Sequence, residues 1–303
     1  METRLTLAMQ LLTGDGMALD PVQAAGLLTA AAEQGDAQAA ALMATVEAMG
    51  VAGPQSWDRA MDWLRRAAAL GSESAQAQLR LLGRGSEAID IGALITPPPK
   101  RSLTDAPRIR VIEGFATPAE CDWVMARARG RLSPAVVIDP HTGLDIAHPD
   151  RTNNAIQLNV IAMDVVIQVL RARIGTATNL PVPVFEPAQI MHYSVGEEFR
   201  PHYDFLTEDA EGWAAQLREY GQRIATFLLY LNDDFEGAET DFPSVDISHR
   251  GAKGDALFFA NVDPSGAPDR TTLHAGRPPT RGEKWILSQW IRDRTPARLV
   301  EAD

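Results

Sequence analysis

The segment AAGLLTAAAEQG at Ala24–Gly35 recurs 36 positions later as AMDWLRRAAALG at Ala60–Gly71, and this period restricts the possible folds more than any other feature. Ala24, Leu28, Ala32 and Gly35 match Ala60, Leu64, Ala68 and Gly71. Small and apolar residues at helical spacing let two helices approach closely, and each glycine ends one helix before the next begins. A second Ala-rich stretch follows each glycine, DAQA from Asp36 and SESAQA from Ser72. A period of this length predicts stacked helical hairpins.

With a partial copy over Leu7–Met17, these repeats resemble Sel1-like repeats, relatives of the tetratricopeptide family. They are expected over residues 1–85. The resemblance implies either a docking surface for a peptide or partner protein, or a helical buttress or dimer contact, and both readings stand. Residues 86–107 carry Pro97-Pro98-Pro99 followed by Lys100-Arg101 and read as an extended linker. From Arg108 onward, short alternating runs bounded by Gly, Pro and Asp predict antiparallel strands, with helical spacing over Pro118–Gly130 and Val160–Ile174. The expected class is α+β, with residues 108–303 forming the second domain.

A chain of 303 residues accommodates one large domain and a smaller one. A net charge of -12 without a long basic run argues against nucleic acid as a bulk partner. The one cysteine, Cys121, cannot close an internal disulfide and is expected as a buried thiol in a helix. The amino terminus lacks the apolar core of a signal peptide, and no run approaches the roughly 18 apolar residues of a membrane span. The chain is therefore expected to be cytoplasmic, with no membrane partner.

His202 and Asp204 lie two positions apart in a strand-like stretch, so both side chains point to one face. Such a pair is common by chance. His274, 70 residues beyond Asp204 in TTLHAG, supplies a third donor. Two imidazoles and one carboxylate leave coordination positions open, as suits Fe(II) that must also bind a chelating cosubstrate and oxygen. A closed zinc site would want a fourth protein ligand. Farther on, alternation puts Lys284, Ile286, Ser288 and Trp290 on one face. Lys284 either meets an anion inside the fold or faces solvent from an edge strand.

The ordered motifs carry a resemblance. They are Glu120-Cys121-Asp122, Arg151-Thr152-Asn153, the run from Gln189 to Asp204, RIATFLLYL from Arg223, Gly237 to Phe242, KGDALFF from Lys253, and Gly282-Glu283-Lys284-Trp285. Together, residues 108–293 resemble the catalytic domain of the prolyl 4-hydroxylase family of Fe(II)/2-oxoglutarate-dependent oxygenases. The resemblance implies a double-stranded β-helix, or jelly roll, with backing helices. It implies Fe(II) on His202, Asp204 and His274, and the C5 carboxylate of 2-oxoglutarate on Lys284. Tyr193 and Thr226 are implied as helpers, and Trp290 lies on the cosubstrate or substrate side.

The implied reaction is a procollagen-proline 4-dioxygenase-like hydroxylation using O2, with ascorbate as an auxiliary reductant. Asp204 favours hydroxylation over halogenation, because related halogenases lack that carboxylate. The substrate is expected to be a peptide or protein proline. The alternatives are a free amino acid or other small molecule, or a non-catalytic repeat protein that senses 2-oxoglutarate. Val137–Asn154 and Leu206–Gly221 are the segments expected to close over substrate.

Three departures from the family pattern stand out. Ala238 replaces the second Gly of its turn and is expected to touch no ligand. Asn153 replaces a Ser in an element expected to line the substrate side, and Phe199 replaces a Tyr found in some members. His141, His148 and His249 are expected to be exposed, and His192 to face away from Tyr193.

Overall fold

The computed structural model describes residues 3–85 and 88–295. The chain divides into two units, Met1–Thr96 with Leu158–Arg173, and Pro97–Gln157 with Ile174–Asp303.

The helical unit opens with α1 (Arg4–Thr13), α2 (Pro21–Glu33), α3 (Ala37–Met49), α4 (Trp57–Ala69) and α5 (Glu73–Gly83). Asp20, Asp36, Ser56 and Ser72 each cap the helix that follows by accepting from its first-turn amides. Each such cap contributes about 1 kcal/mol. The matched glycines Gly35 and Gly71 have φ of 94° and 96°, so the same left-handed turn follows α2 and α4. Ala24, Leu28 and Ala32, like Ala60 and Leu64, have no exposed surface. The sequence period is thus the period of the buried face.

Two boundaries differ from the sequence expectation. Within the expected linker, Asp90 accepts from the Ala93 amide and starts the short helix α6 (Ile91–Ile95). Strand β1 (Arg101–Asp105) then pairs with β2 (Arg108–Ile112). Residues 158–173, expected in the second domain, group with the helical unit. Gln78 Oε1 accepts from the Val165 amide at 3.0 Å, and Arg173 Nε donates to the Leu94 carbonyl at 2.6 Å. Polar contacts between segments so far apart in sequence leave no local pattern to read.

The remaining helices are α7 (Pro118–Ala128), α8 (Val165–Thr178) and α9 (Glu211–Tyr220). Helix α8 starts later than its spacing suggests because Asp164 Oδ1 accepts from the Ile167 amide at 2.9 Å. Helix α9 lies inside one of the segments expected to cover substrate.

The second unit is built on two antiparallel sheets. The larger joins β1 and β2 to β13 (Ala256–Ala260), β9 (Arg223–Tyr230), β16 (Lys284–Arg292), β7 (Gln189–Tyr193), β6 (Asn154–Gln157) and β3 (Ser133–Pro134), in that order. The smaller runs β12 (Ile247–His249), β11 (Thr240–Phe242), β14 (His274–Gly276) and β8 (Phe199–His202). Two short two-stranded sheets complete the set, the hairpin of β4 (Val136–Ile138) with β5 (Asp145–Ala147), and β10 (Glu236–Gly237) with β15 (Pro279–Arg281). From β7 to β16 the chain passes repeatedly from one main sheet to the other, which is the winding of a double-stranded β-helix.

Between the sheets, Phe242 from the smaller meets Leu228, Tyr230, Phe259 and Ile286 from the larger in one buried cluster. Strand β16 lies between β9 and β7, and all nine of its residues are buried. Helix α7 backs the larger sheet, where Cys121 is fully buried with Sγ 3.8 Å from the Tyr230 carbonyl. The thiol is buried as expected.

Candidate active site

Strands β8 and β14 are neighbours in the smaller sheet, and their register sets His202 opposite His274. Asp204 follows two residues after His202. The three potential ligand atoms lie within 4.8 Å of one another. His202 Nε2 is 3.6 Å from Asp204 Oδ1, and His274 Nε2 is 3.4 Å from Asp204 Oδ2.

Whether this cluster fits a metal is decided by the far side of each ring. His202 Nδ1 lies 2.8 Å from the Arg200 carbonyl, and His274 Nδ1 lies 3.0 Å from the Thr272 carbonyl. A carbonyl can only accept, so each Nδ1 carries the proton and each Nε2 turns a lone pair toward the centre. Asp204 Oδ2 accepts from the Thr226 hydroxyl at 2.6 Å, and Thr226 in turn accepts from Asn261 Nδ2 at 3.0 Å. Burial raises the Asp204 carboxyl, but His274, His202 and the Thr226 hydroxyl outweigh it and hold the group well below the usual carboxylate range. Burial and the neighbouring His202 lower the His274 imidazole to about 4, so it stays neutral. Two imidazoles and one ionised carboxylate, each oriented from behind, are a donor set that fits Fe(II).

The same cavity is lined by Tyr193, Thr226, Lys284, Ser288 and Trp290. Lys284 is only 1% exposed, which excludes the solvent-facing alternative. Its Nζ donates to the Ala238 carbonyl at 2.8 Å and lies 5.6 and 5.5 Å from the ring centres of Tyr193 and Tyr230. Burial pushes the lysine down to about 7, against the pull of Glu239. Ala238, expected to touch no ligand, presents its backbone carbonyl to this lysine. Its φ of 59° turns that carbonyl inward, in a region of backbone space usually left to glycine.

Other residues fall into supporting places. The Thr226 hydroxyl serves Asp204 while its side chain lines the cavity. Burial raises the Tyr193 phenol to about 12, and its hydroxyl points to Met191 Sδ at 3.7 Å. Phe199 stacks on the His202 ring with centres 3.4 Å apart. The Trp290 indole nitrogen is buried without a partner, and the Arg223 guanidinium lies 4.0 Å from the ring centre. Glu186 holds Arg223 through bonds of 2.6 and 2.9 Å.

Sequence reasoning missed Glu186, Arg223 and Asn261 as supports of the site. Asn261 meets Thr226 only because β13 pairs with β9, and no spacing reveals that. Asn153, in the element expected to line the substrate side, is fully buried and accepts from Arg151 Nε at 3.3 Å. Arg151 also donates to Gln189 Oε1 at 3.0 Å and lies over the Phe199 ring. His141 and His148 are exposed as expected. His249 is half-buried, edge-on to Tyr230, because β12 packs its ring inward. His192 pairs in register with Trp285, and Tyr193 with Lys284, so the two face opposite sides as expected.

The two segments expected to cover substrate touch each other. The Gly212 amide donates to the Pro140 carbonyl at 2.9 Å, and Gln216 Nε2 to the Gly143 carbonyl at 3.1 Å. A Cβ on Gly212 would lie 2.2 Å from the Gly143 nitrogen, so only glycine permits this approach.

Residues 188–292 match the family model of the 2OG-Fe(II) oxygenase superfamily. Prolyl 4-hydroxylase 1 of Arabidopsis thaliana is 32% identical over 203 residues, covering 62% of this chain and 70% of that protein. The viral collagen prolyl hydroxylase of Paramecium Bursaria Chlorella virus-1, solved with 2OG, aligns with a TM-score of 0.46 and 26% identity over 62% of this chain and 98% of its own. A Sel1 repeat protein from Oxalobacter formigenes aligns over 30% of this chain and 39% of its own, with 28% identity and a TM-score of 0.26. The match to the Arabidopsis prolyl 4-hydroxylase, taken with the site geometry, shows that the chain belongs to the prolyl 4-hydroxylase family of Fe(II)/2-oxoglutarate-dependent oxygenases.

Proposed function

We propose that this protein hydroxylates a prolyl residue in a peptide or protein. In this reading Fe(II) is held by His202, Asp204 and His274, and Lys284 receives the distal carboxylate of 2-oxoglutarate. The observation that carries the assignment is that a fully buried lysine shares one cavity with a preoriented set of two histidines and an aspartate. When bound, Fe(II) and its cosubstrate supply the oxidising power: 2-oxoglutarate and O2 become succinate and carbon dioxide as one C–H bond receives a hydroxyl.

The chain supplies the setting for that chemistry. Thr226 and the carbonyls of Arg200 and Thr272 fix the donor orientations. Leu228, Ile286 and Trp290 keep the cavity apolar, so charges inside it interact strongly. Ascorbate acts as an auxiliary reductant. The helical repeats serve as a docking surface, and a protein substrate should then show a far lower KM than its excised peptide.

The test is succinate release from 2-oxoglutarate with Fe(II) and ascorbate, offering proline-rich peptides or free amino acids, with His202→Ala as the blank. Stimulation by peptides is the expected result. Stimulation by amino acids alone would move the substrate to a small molecule, and turnover no higher than the blank would sink the enzyme reading.

A further inference from the structure

Lys284 brings its Nζ into the interior of the second unit, where the contact found is the Ala238 carbonyl. A carbonyl dipole is a weak substitute for a counter-charge, and a buried ammonium without one is strongly disfavoured against the neutral amine. The groups facing Nζ do not supply that charge in contact. Strands β7 and β9 present Tyr193 and Tyr230, whose phenols burial keeps neutral. The turn before β11 presents Glu239, which favours the protonated lysine without an ion pair to it. Strand β12 presents His249, itself shifted toward the neutral form by burial. The resting cavity therefore favours an amine parked on a backbone carbonyl.

An incoming carboxylate changes that balance, because it supplies the missing counter-charge at short range. We infer that binding of 2-oxoglutarate is coupled to the uptake of one proton by Lys284 Nζ, which exchanges the Ala238 carbonyl for the cosubstrate carboxylate as its main partner. This rests on the reading of Lys284 as the cosubstrate anchor. The proton comes from solvent and adds to the amine lone pair. The cosubstrate brings none, since ordinary carboxyl groups titrate near pH ~4. Ala238 becomes a positioning residue, whose left-handed backbone holds the amine where the carboxylate arrives. Cosubstrate affinity then falls as the medium becomes alkaline, roughly tenfold per pH unit once the resting lysine is neutral.

The experiment is calorimetric titration of 2-oxoglutarate into the Fe(II)-loaded full chain without oxygen, from about pH 6 to about pH 8.5. Phosphate and Tris buffers, which differ in heat of ionisation, report the protons exchanged. The expected result is about one proton taken up per cosubstrate at the alkaline end and almost none at the acid end, with Kd rising in step. Glu239→Gln removes a charge that favours the ammonium, so it should move the onset of that rise to lower pH. A flat affinity without proton uptake overturns the inference, as does an onset that Glu239→Gln leaves in place. Absence of binding at every pH would instead overturn the cosubstrate assignment on which it rests.

Discussion

Replacing Lys284 by Met should stabilise the protein while abolishing cosubstrate anchorage. The lysine is lowered from 10.5 to about 7 by burial. At about 1.4 kcal/mol per pH unit, that displacement corresponds to a folding cost of roughly 5 kcal/mol with the charge in place. Met has a similar unbranched stem and no charge, so it removes this cost. The Ala238 carbonyl loses its donor, which returns about 1 kcal/mol. A net gain of about 4 kcal/mol is expected at acid pH.

The sign fixes the pH window. Between pH about 7 and about 10.5 the unfolded chain holds a proton on this lysine that the folded chain does not. Wild-type stability therefore rises with pH through that window; the cost is full below it and absent above it. Urea unfolding of metal-free wild type and Lys284→Met at about pH 6, 8 and 9.5 reads the difference directly. The gap should close by roughly 1.4 kcal/mol per pH unit toward alkaline conditions. A variant no more stable than wild type, or a gap that ignores pH, would refute the reasoning.

Three other perturbations test separate parts of the structure. Thr226→Val removes the hydroxyl that orients Asp204 and should weaken Fe(II) affinity about 10- to 100-fold, measured by competition with a chelator. Gly212→Ala forces α9 away from the β4–β5 hairpin, so hydrogen exchange should quicken in both segments together and stay unchanged in β9 and β16. Ala238→Gly relieves the positive φ, at about 1–2 kcal/mol for an L residue, against a smaller entropic loss. A net gain of about 0.5–1 kcal/mol should appear as a modest rise in Tm, with affinity for 2-oxoglutarate retained.

The parts of this molecule that repeat or alternate were legible in its sequence. The helical period at Ala24 and Ala60 marks the buried face, and the alternation from Lys284 to Trp290 marks the wall of the cavity. His202, Asp204 and His274 were found because chemistry restricts which residue types can serve and strand geometry restricts their spacing. The hidden parts depend on register and backbone. Asn261 reaches Thr226 through strand pairing, Glu186 reaches Arg223 across an unrelated stretch, and Ala238 acts through a carbonyl that every residue possesses. Its side chain therefore carries no sign of its role. Residues 158–173 show the same limit on a larger scale, since their affiliation comes from Gln78 and Leu94 rather than from their own pattern.

The division of the site between two sheets has a consequence for how long the protein survives. His202 and His274 stand on the smaller sheet and Lys284 on the larger. In the proposed function, a dicarboxylate chelated at one end and salt-bridged at the other would add a crosstie between layers joined by side-chain packing and by hydrogen bonds such as that of the Tyr230 and Thr240 hydroxyls. Ligand at about 100 times its Kd adds about 2.7 kcal/mol to a folded state that alone can bind it. The folded fraction thus follows the supply of 2-oxoglutarate, and degradation that acts on unfolded chains would clear this protein fastest when its cosubstrate is scarce. The abundance of the protein, and not only its turnover rate, would then register the carbon status of the cell.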